Sequence, residues 1–356
     1  MNRFSLVAMT AVPVVVASAS GQVIVDGFAD IDYGDPLAIQ DTRTGFGNAD
    51  LGLIDFCNGS ELDQAFAVIQ DDVLYICLGG NLEANFNHIE IFIDSIPGEG
   101  QSPILGNNPG IDFGALGNMG MWGIPGDEDY AQGLTFDDGF AADFWIGAGC
   151  GNDPFEFFVN YCVLATDGDP ESPSGFGGSN AAGIDGQVTL ENGLSAAIDN
   201  SNTGGVLACD KKTGCVDGDG TGVLTGYEIG IPLDAIGYMT GDALKVVAFI
   251  NNNDHFYVSN QFLPGVGGLG NLEYSRWVNL AEIPGDQFFT VVAGEEPPTC
   301  PGDFNNDGVV DGADFGAMLA AWGPCDEGDC YYDLSDDNQV TGADVGLILA
   351  YWGVCP

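Results

Sequence analysis

Residues 300–325 read C-P-G-D-F-N-N-D-G-V-V-D-G-A-D-F-G-A-M-L-A-A-W-G-P-C, and residues 330–355 read C-Y-Y-D-L-S-D-D-N-Q-V-T-G-A-D-V-G-L-I-L-A-Y-W-G-V-C. The two align without a gap, offset by thirty residues: Cys300 with Cys330, Asp303 with Asp333, Asp314 with Asp344, Trp322 with Trp352, and Cys325 with Cys355. A repeat this short cannot bury an apolar face alone, so the two copies are expected to pack on each other. In the first, Asp303, Asn305 and Asp307 alternate, Gly308 allows a sharp turn, Val309 offers a carbonyl, and Asp311 and Asp314 complete the loop. Hard oxygen ligands at alternate positions on one tight turn are what Ca2+ requires. The second copy offers Asp333, Ser335, Asp337, the Gln339 carbonyl, Thr341 and Asp344, with Asn338 in place of the turn glycine. Asn tolerates left-handed backbone. Its two hydroxyls are weaker ligands than carboxylates, so the second loop should bind less tightly.

A helix is expected after each loop. Phe315, Met318, Leu319 and Trp322 fall at i, i+3, i+4 and i+7, as do Val345, Ile348, Leu349 and Trp352, with Gly323 and Gly353 just beyond. That spacing forms one apolar helix face. No helical run precedes either loop, so each is half of an EF-hand. In these loops and helices the segment resembles a dockerin domain, the calcium-folded module that docks onto cohesins in polysaccharide-degrading assemblies. The resemblance implies two Ca2+ sites and a cohesin-type or cell-surface partner. It places partner recognition at loop positions ten and eleven, here Gly312 and Ala313, and Gly342 and Ala343. These are small residues where hydroxyls are usual, so the docking surface departs from the common pattern. Identical pairs in both repeats allow two docking orientations. The four cysteines look like a cysteine-bearing variant found in planctomycete-type secreted proteins. About eleven helical residues separate a loop from its own helix end by roughly 16 Å, too far for an intra-repeat bridge. Antiparallel packing favours Cys300–Cys355 and Cys325–Cys330.

Met1 to Gly21 reads as a secretion signal: a short positive start at Arg3, an apolar run from Leu6 to Ala17, and small residues at Ala17-Ser18-Ala19 and Ala19-Ser20-Gly21. The run is too short to span a membrane, and no later segment is long enough. The protein is expected outside the cell or at its surface. Asp plus Glu number 53 against 6 Lys plus Arg, which excludes nucleic acid as a partner, because phosphate neutralisation needs basic clusters. Ten cysteines in a secreted chain point to disulfides. Besides the C-terminal pairs, the expected bridges are Cys209–Cys215, Cys150–Cys162 and Cys57–Cys77.

Residues 22–292 lack helical periodicity and are rich in Gly, which points to a mainly β, loop-rich module; residues 293–299, A-G-E-E-P-P-T, form a Pro-stiffened linker. Short strand runs lie between turn residues. Ala65–Gln70 and Val73–Leu78 form a hairpin about Asp71-Asp72. His88–Asp94, Phe140–Gly147, Phe155–Leu164, Gly226–Leu233, Leu244–Asn251 and Phe288–Val292 follow, Leu244–Asn251 being apolar on both faces. The pair G-Y-E-I-G-I-P-L-D-A-I and L-K-V-V-A-F-I-N-N-N-D, with I-E-I-F-I-D-S, resembles sandwiches of carbohydrate-binding module family nine and related heme- or sugar-binding domains. The resulting fold class is a jelly-roll-like β-sandwich followed by a small α-helical module, residues 300–356, with two calcium loops.

Chemistry-bearing residues are scarce in the large module. Its two histidines, His88 and His255, read as surface or edge residues, and no H-x-x-x-H spacing marks a zinc site. No G-x-S-x-G elbow or E-x-D-x-E strand appears. Sugar binding needs aromatic faces, and the candidates are Trp122, in the loop M-G-M-W-G-I-P-G, Tyr130, Trp145, Tyr161, Tyr274 and Trp277; Trp122 and Tyr130 lead, whereas Trp145 and Trp277 read as core. Asp94, and the loop with Asp217, Asp219 and Thr221, are two weaker calcium candidates. The expected function is carbohydrate binding by a calcium-anchored, secreted sandwich. The alternatives are a docked glycoside hydrolase using paired carboxylates and a structural surface or matrix protein.

Overall fold

The computed structural model describes residues 23–46, 59–179, 186–238, 243–292, 301–305, 309–325, 331–335 and 339–355. The expected signal, residues 1–21, and linker, residues 293–299, lie outside them.

Asp71 and Asp72 adopt left-handed backbone, φ 51° and 62°, and close a two-residue turn between β2 (Glu61–Gln70) and β3 (Val73–Asn81). Two positive-φ residues match the right-handed twist of the strands they join. This hairpin centres one antiparallel sheet. β1 (Ala38–Ile39) pairs with β2, and β10 (Gly226–Pro232), β9 (Ser195–Ile198) and β8 (Gly186–Thr189) follow beyond β3. The second sheet runs β13 (Glu273–Tyr274), β12 (Tyr257–Leu263), β11 (Ala243–Asn251), β4 (His88–Asp94), β5 (Phe144–Gly151), β6 (Glu156–Val163) and β7 (Ser174–Ser179), with β14 (Phe289–Val292) also on β11.

One apolar layer lies between the sheets. Leu74, Ile76, Ile229 and Ile231 from the first meet Ile89, Ile91, Ile146, Val246 and Ala248 from the second. Strand β11 is buried on both faces, as its composition indicates: Val247 and Phe249 point away from the sandwich into a second core. There they meet Phe92, Trp145 and Phe262 beneath a cover that includes Ile104, Leu116 and Phe136. The cover carries the short helix α1 (Ala115–Met119). A third layer, Val23, Ala29 and Tyr33, packs on the outer face of the first sheet against Phe66 and Cys77. Buried Glu228 holds this N-terminal segment, accepting from the Asp26 and Gly27 amides and from the Tyr33 hydroxyl.

The C-terminal repeats pair with each other. β15 (Val309–Val310) of the first loop pairs with β18 (Gly353–Val354) at the end of the second repeat, and β16 (Gly323–Pro324) pairs with β17 (Gln339–Val340). Helices α2 (Gly312–Ala320) and α3 (Gly342–Ile348) follow the loops. The module's core holds Phe304, Val310, Met318, Val340 and Ile348. Of each expected apolar stripe, only Met318 and Ile348 are fully buried; Leu319, Trp322, Leu349 and Trp352 are exposed. Cross-pairing gathers the loops and helix ends around a small core, against which Phe315 and Val345 also pack, partly buried. Among the described residues no helix is long and apolar enough to cross a membrane.

Candidate functional site

Each C-terminal loop is closed by a buried carboxylate. Asp314 Oδ1 accepts from the Phe304 and Asn305 amides at 2.9 and 3.1 Å, and its Oδ2 accepts from Asp311 N at 2.8 Å. In the second repeat Asp344 accepts from Ser335 N at 2.9 Å and Thr341 N at 2.6 Å. Burial opposes ionisation of Asp344, but the amides of Thr341 and Ser335 outweigh it and hold its pKa below the ordinary carboxylate value. Asp311 and Thr341 also cap their helices, accepting from Ala313 N and Ala343 N in matching capping boxes. Asp303 is buried, and Asn305, Val309, Asp333, Ser335 and Gln339 stand on the same two loops; Asp307 and Asp337 lie outside the described residues. The donor set is entirely oxygen, and no Lys, Arg or His occurs from residue 300 onward, so no side-chain cation within the module offsets these carboxylates. Gly312, Ala313, Gly342 and Ala343 are exposed.

The cysteines divide. Cys209–Cys215 is a disulfide. Cys325 and Cys355 are each disulfide-bonded, while Cys300 and Cys330 lie outside the described residues. The other two expected bridges are corrected: Cys77, Cys150 and Cys162 are free and buried. In the β5–β6 hairpin, Cys150 sits opposite Phe157 and Cys162 opposite Trp145, five positions along the ladder. They also face different cores, Cys150 between the sheets and Cys162 under the cover. Cys77 is free and packs against the N-terminal segment, and its expected partner Cys57 lies outside the described residues. Each acts as a small apolar side chain.

Trp145 is fully buried, as expected, but Trp277 is 58% exposed rather than core. Trp122 is 57% exposed, and Tyr130 is half-buried on the same loop, whose ends are tied by the Trp122–Ala131 bridge. The Arg276 guanidinium lies over the rings of Trp122 and Phe256, at 5.1 and 5.7 Å, and Phe256 meets Tyr274 edge-on. Asp94, a calcium candidate in the sequence, instead pairs with Lys245 at 3.2 Å. In the Asp217–Thr221 loop, Asp219 accepts from the amide and hydroxyl of Thr221, as in an ordinary turn.

Both histidines are buried, their rings tilted at 35° with centroids 4.0 Å apart, which corrects their reading as surface residues. Strand alternation puts His88 and Glu90 on the face of β4 that carries Phe92. His255 reaches them from the β11–β12 turn, with left-handed backbone at φ 55°. Its Nδ1 is 2.6 Å from Glu90 Oε1, and Glu90 also accepts from Trp145 Nε1 at 2.8 Å and Asn251 Nδ2 at 3.2 Å. On the other side, Asp112 Oδ2 stands 3.3 Å from His255 Nε2, 3.4 Å from His88 Nε2 and 2.8 Å from Asn160 Nδ2. Glycines make the room: a Cβ on Gly149 would come within 2.9 Å of His88 Nε2, and one on Gly147 within 2.5 Å of the Trp145 ring. Burial opposes charge on His255, but Glu90 and Asp112 push its pKa up to about 10. His88 is held below its ordinary value by burial and by the neighbouring His255. Burial works against an ionised Asp112, yet the two imidazoles keep its pKa low. The nearest equivalent in the sequence is the alternation H-I-E at the start of a doubly buried strand, which was not read as a site.

No family model, no curated protein and no solved structure matches this chain.

Proposed function

We propose that this chain is a secreted, calcium-dependent protein in which a carbohydrate-binding β-sandwich is anchored through its C-terminal repeats to a cohesin-like or cell-surface partner. The observation that carries this reading is the pair of all-oxygen loops, each closed by a buried carboxylate, in a module without a basic side chain. Ca2+ in each loop supplies the missing positive charge and joins the loop to the helix it caps. With the ions in place, the module presents matching exposed apolar residues, Leu319 and Trp322 from one repeat and Leu349 and Trp352 from the other. Beside them stand the small pairs Gly312-Ala313 and Gly342-Ala343. This is a symmetric surface for a protein partner, and exposed tryptophans are efficient anchors at interfaces.

For the large module, the exposed Trp122 with Arg276, Phe256 and Tyr274 supports polysaccharide as ligand. Aromatic faces stack on the apolar faces of sugar rings, and the acidic rim offers acceptors to hydroxyls. The test uses the mature chain with and without Ca2+. Calorimetry should show two calcium equivalents, the second weaker, and a panel of insoluble polysaccharides should retain the protein in a manner lost on Trp122→Ala. Absence of calcium binding removes the anchor reading. Retention unchanged in Trp122→Ala removes the proposed sugar face, and release of soluble sugar moves the reading to a docked hydrolase.

A further inference from the structure

The polar cluster under the second sheet has the geometry of a coordination shell. Asp112 Oδ2 stands 3.3 and 3.4 Å from the two histidine Nε2 atoms, and all three atoms lie within 4.8 Å of one another. Two ligands on a tetrahedral ion with bonds of about 2.0–2.1 Å stand about 3.3–3.4 Å apart; octahedral ligands at about 2.1 Å stand only about 3.0 Å apart. The spacing is long for hydrogen bonds, and His255 Nε2, completely buried and aimed at Asp112, has no hydrogen-bond partner. Asp112 therefore meets this nitrogen only as a long ion pair, and an ion between the two would hold both at bonding distance.

The surroundings of His255 and Asp112 match an outer shell. Metal-ligating histidines usually give their other ring nitrogen to a carboxylate or carbonyl that fixes the ring. His255 Nδ1 does so to Glu90, itself held by Trp145 and Asn251, while Asn160 positions Asp112. Two of the three candidate ligands, Asp112 and His255, sit in left-handed backbone, as does Phe113, whose 97% exposed ring shows that burial does not hold this turn in place. Such conformations are strained and cluster at ligand clamps.

We propose that the large module holds one divalent transition-metal ion, zinc in the first instance, on His88 Nε2, His255 Nε2 and Asp112 Oδ2, with a fourth, exchangeable position. The site is separate from the C-terminal loops and uses nitrogen ligands that Ca2+ does not favour. His255 is fully enclosed, whereas the His88 and Asp112 side chains keep 9% and 8% exposure, so solvent reaches the ion from that side. Three protein ligands with one open position is the arrangement of zinc sites that bind water or a substrate oxygen. The ligand class at that position is a small anionic or carbonyl oxygen.

The test titrates Co2+ into the mature chain, stripped of transition metals and then kept saturated with Ca2+ so that the C-terminal loops are filled. The expected result is one Co2+ equivalent with the intense visible absorption of tetrahedral cobalt, displaced by Zn2+ and altered by azide. Asp112→Asn and His88→Gln should each abolish that spectrum. Glu90→Gln should weaken binding by about 10–100-fold, the range for outer-shell partners. Calcium stoichiometry should be unchanged in all three. Circular dichroism confirms folding; if one variant does not fold, the other and the wild-type spectrum decide. Absence of tetrahedral Co2+ in the wild type, or its persistence in a folded Asp112→Asn or His88→Gln, overturns the site. A spectrum that azide leaves unchanged overturns the open position.

Discussion

Replacing Asp314 with Asn tests how the C-terminal module is held together. Asp314 is fully buried and accepts three backbone amides, from Phe304, Asn305 and Asp311. An Asn carbonyl can keep the first two, but its amide group then faces Asp311 N–H, donor against donor. One charge-assisted bond is lost, about 1.5–3 kcal/mol, and an unsatisfied donor adds about 1–3 kcal/mol. The sum, roughly 2.5–6 kcal/mol, is comparable to the ~3–5 kcal/mol that the single core of so small a module rarely exceeds; among the described residues that core holds five buried apolar side chains. On the proposed calcium reading, the variant should also weaken the first loop's ion binding and remove the stabilisation that a bound ion adds by mass action. Hydrogen exchange read by mass spectrometry on the full chain resolves the module from the sandwich. In millimolar Ca2+, wild-type α2 and α3 should be protected, and Asp314→Asn should lose protection in both while β4 and β11 keep theirs. Asp311→Ala, which removes only a helix cap and an exposed-side ligand, should cost about 1 kcal/mol from the cap and leave partial protection. Full protection of α2 in a calcium-saturated Asp314→Asn would refute the claim that this carboxylate joins loop to helix.

Other consequences can be checked separately. Burial raises the pKa of Glu228 to about 7 from 4.5, so its contribution to stability is complete below pH 4.5 and lost as pH rises through 7. The loss is up to about 3 kcal/mol. Urea midpoints of the sandwich at pH 5 and pH 8 should therefore differ less in Glu228→Gln than in the wild type, and an equal difference would show that Glu228 titrates normally in the fold. Asp30 (about 7) and Asp143 (about 6) are raised by the same cause and leave a residual slope of the same sign. Gly149→Ala should disturb His88, whose ring occupies the space of the new Cβ, and reduce Co2+ binding; unaltered binding would mean His88 is not a ligand. A thiol reagent should find Cys77, Cys150 and Cys162 unreactive until the protein is denatured, and rapid labelling of the native chain would contradict their burial.

The elements legible in the sequence are those whose signal is local. The Asp71-Asp72 turn, the alternating β4 and the two-faced β11 appear where the pattern places them, β4 and β11 within a residue of the expected bounds. Strand β12 is absent from the expected strands because its polar run, Ser259, Asn260 and Gln261, lacks the apolar alternation that marks one. In the fold those side chains are fully buried and bonded to distant backbone, Asn260 to Arg43 and Leu269, Gln261 to Leu62. The histidine pair was illegible for a related reason: 165 positions separate Glu90 from His255, and no short motif spans a site assembled by sheet pairing. The disulfide expectations failed where sequence proximity stood in for geometry, since Cys150 and Cys162 share a hairpin but neither a rung nor a face.

So acidic a chain must still bury carboxylates, and it does so in three distinguishable ways. Glu228 retains a proton near neutrality, because burial outweighs the amides and hydroxyl that it accepts. Asp344 remains ionised because backbone amides converge on it at short range. Asp112 remains ionised through two imidazoles, at 3.3 and 3.4 Å, longer than the amide contacts of Asp344. On the proposed metal reading the difference is functional. A proton or an amide satisfies a carboxylate at contact distance and leaves no space between the groups. Two ring nitrogens and a carboxylate oxygen separated by more than hydrogen-bond optimum enclose a volume that an ion of tetrahedral preference fills at its usual bond lengths. That the cluster stays expanded, with glycines on β5 clearing its space and Glu90 holding His255 from behind, is the physical reason to look for the metal there.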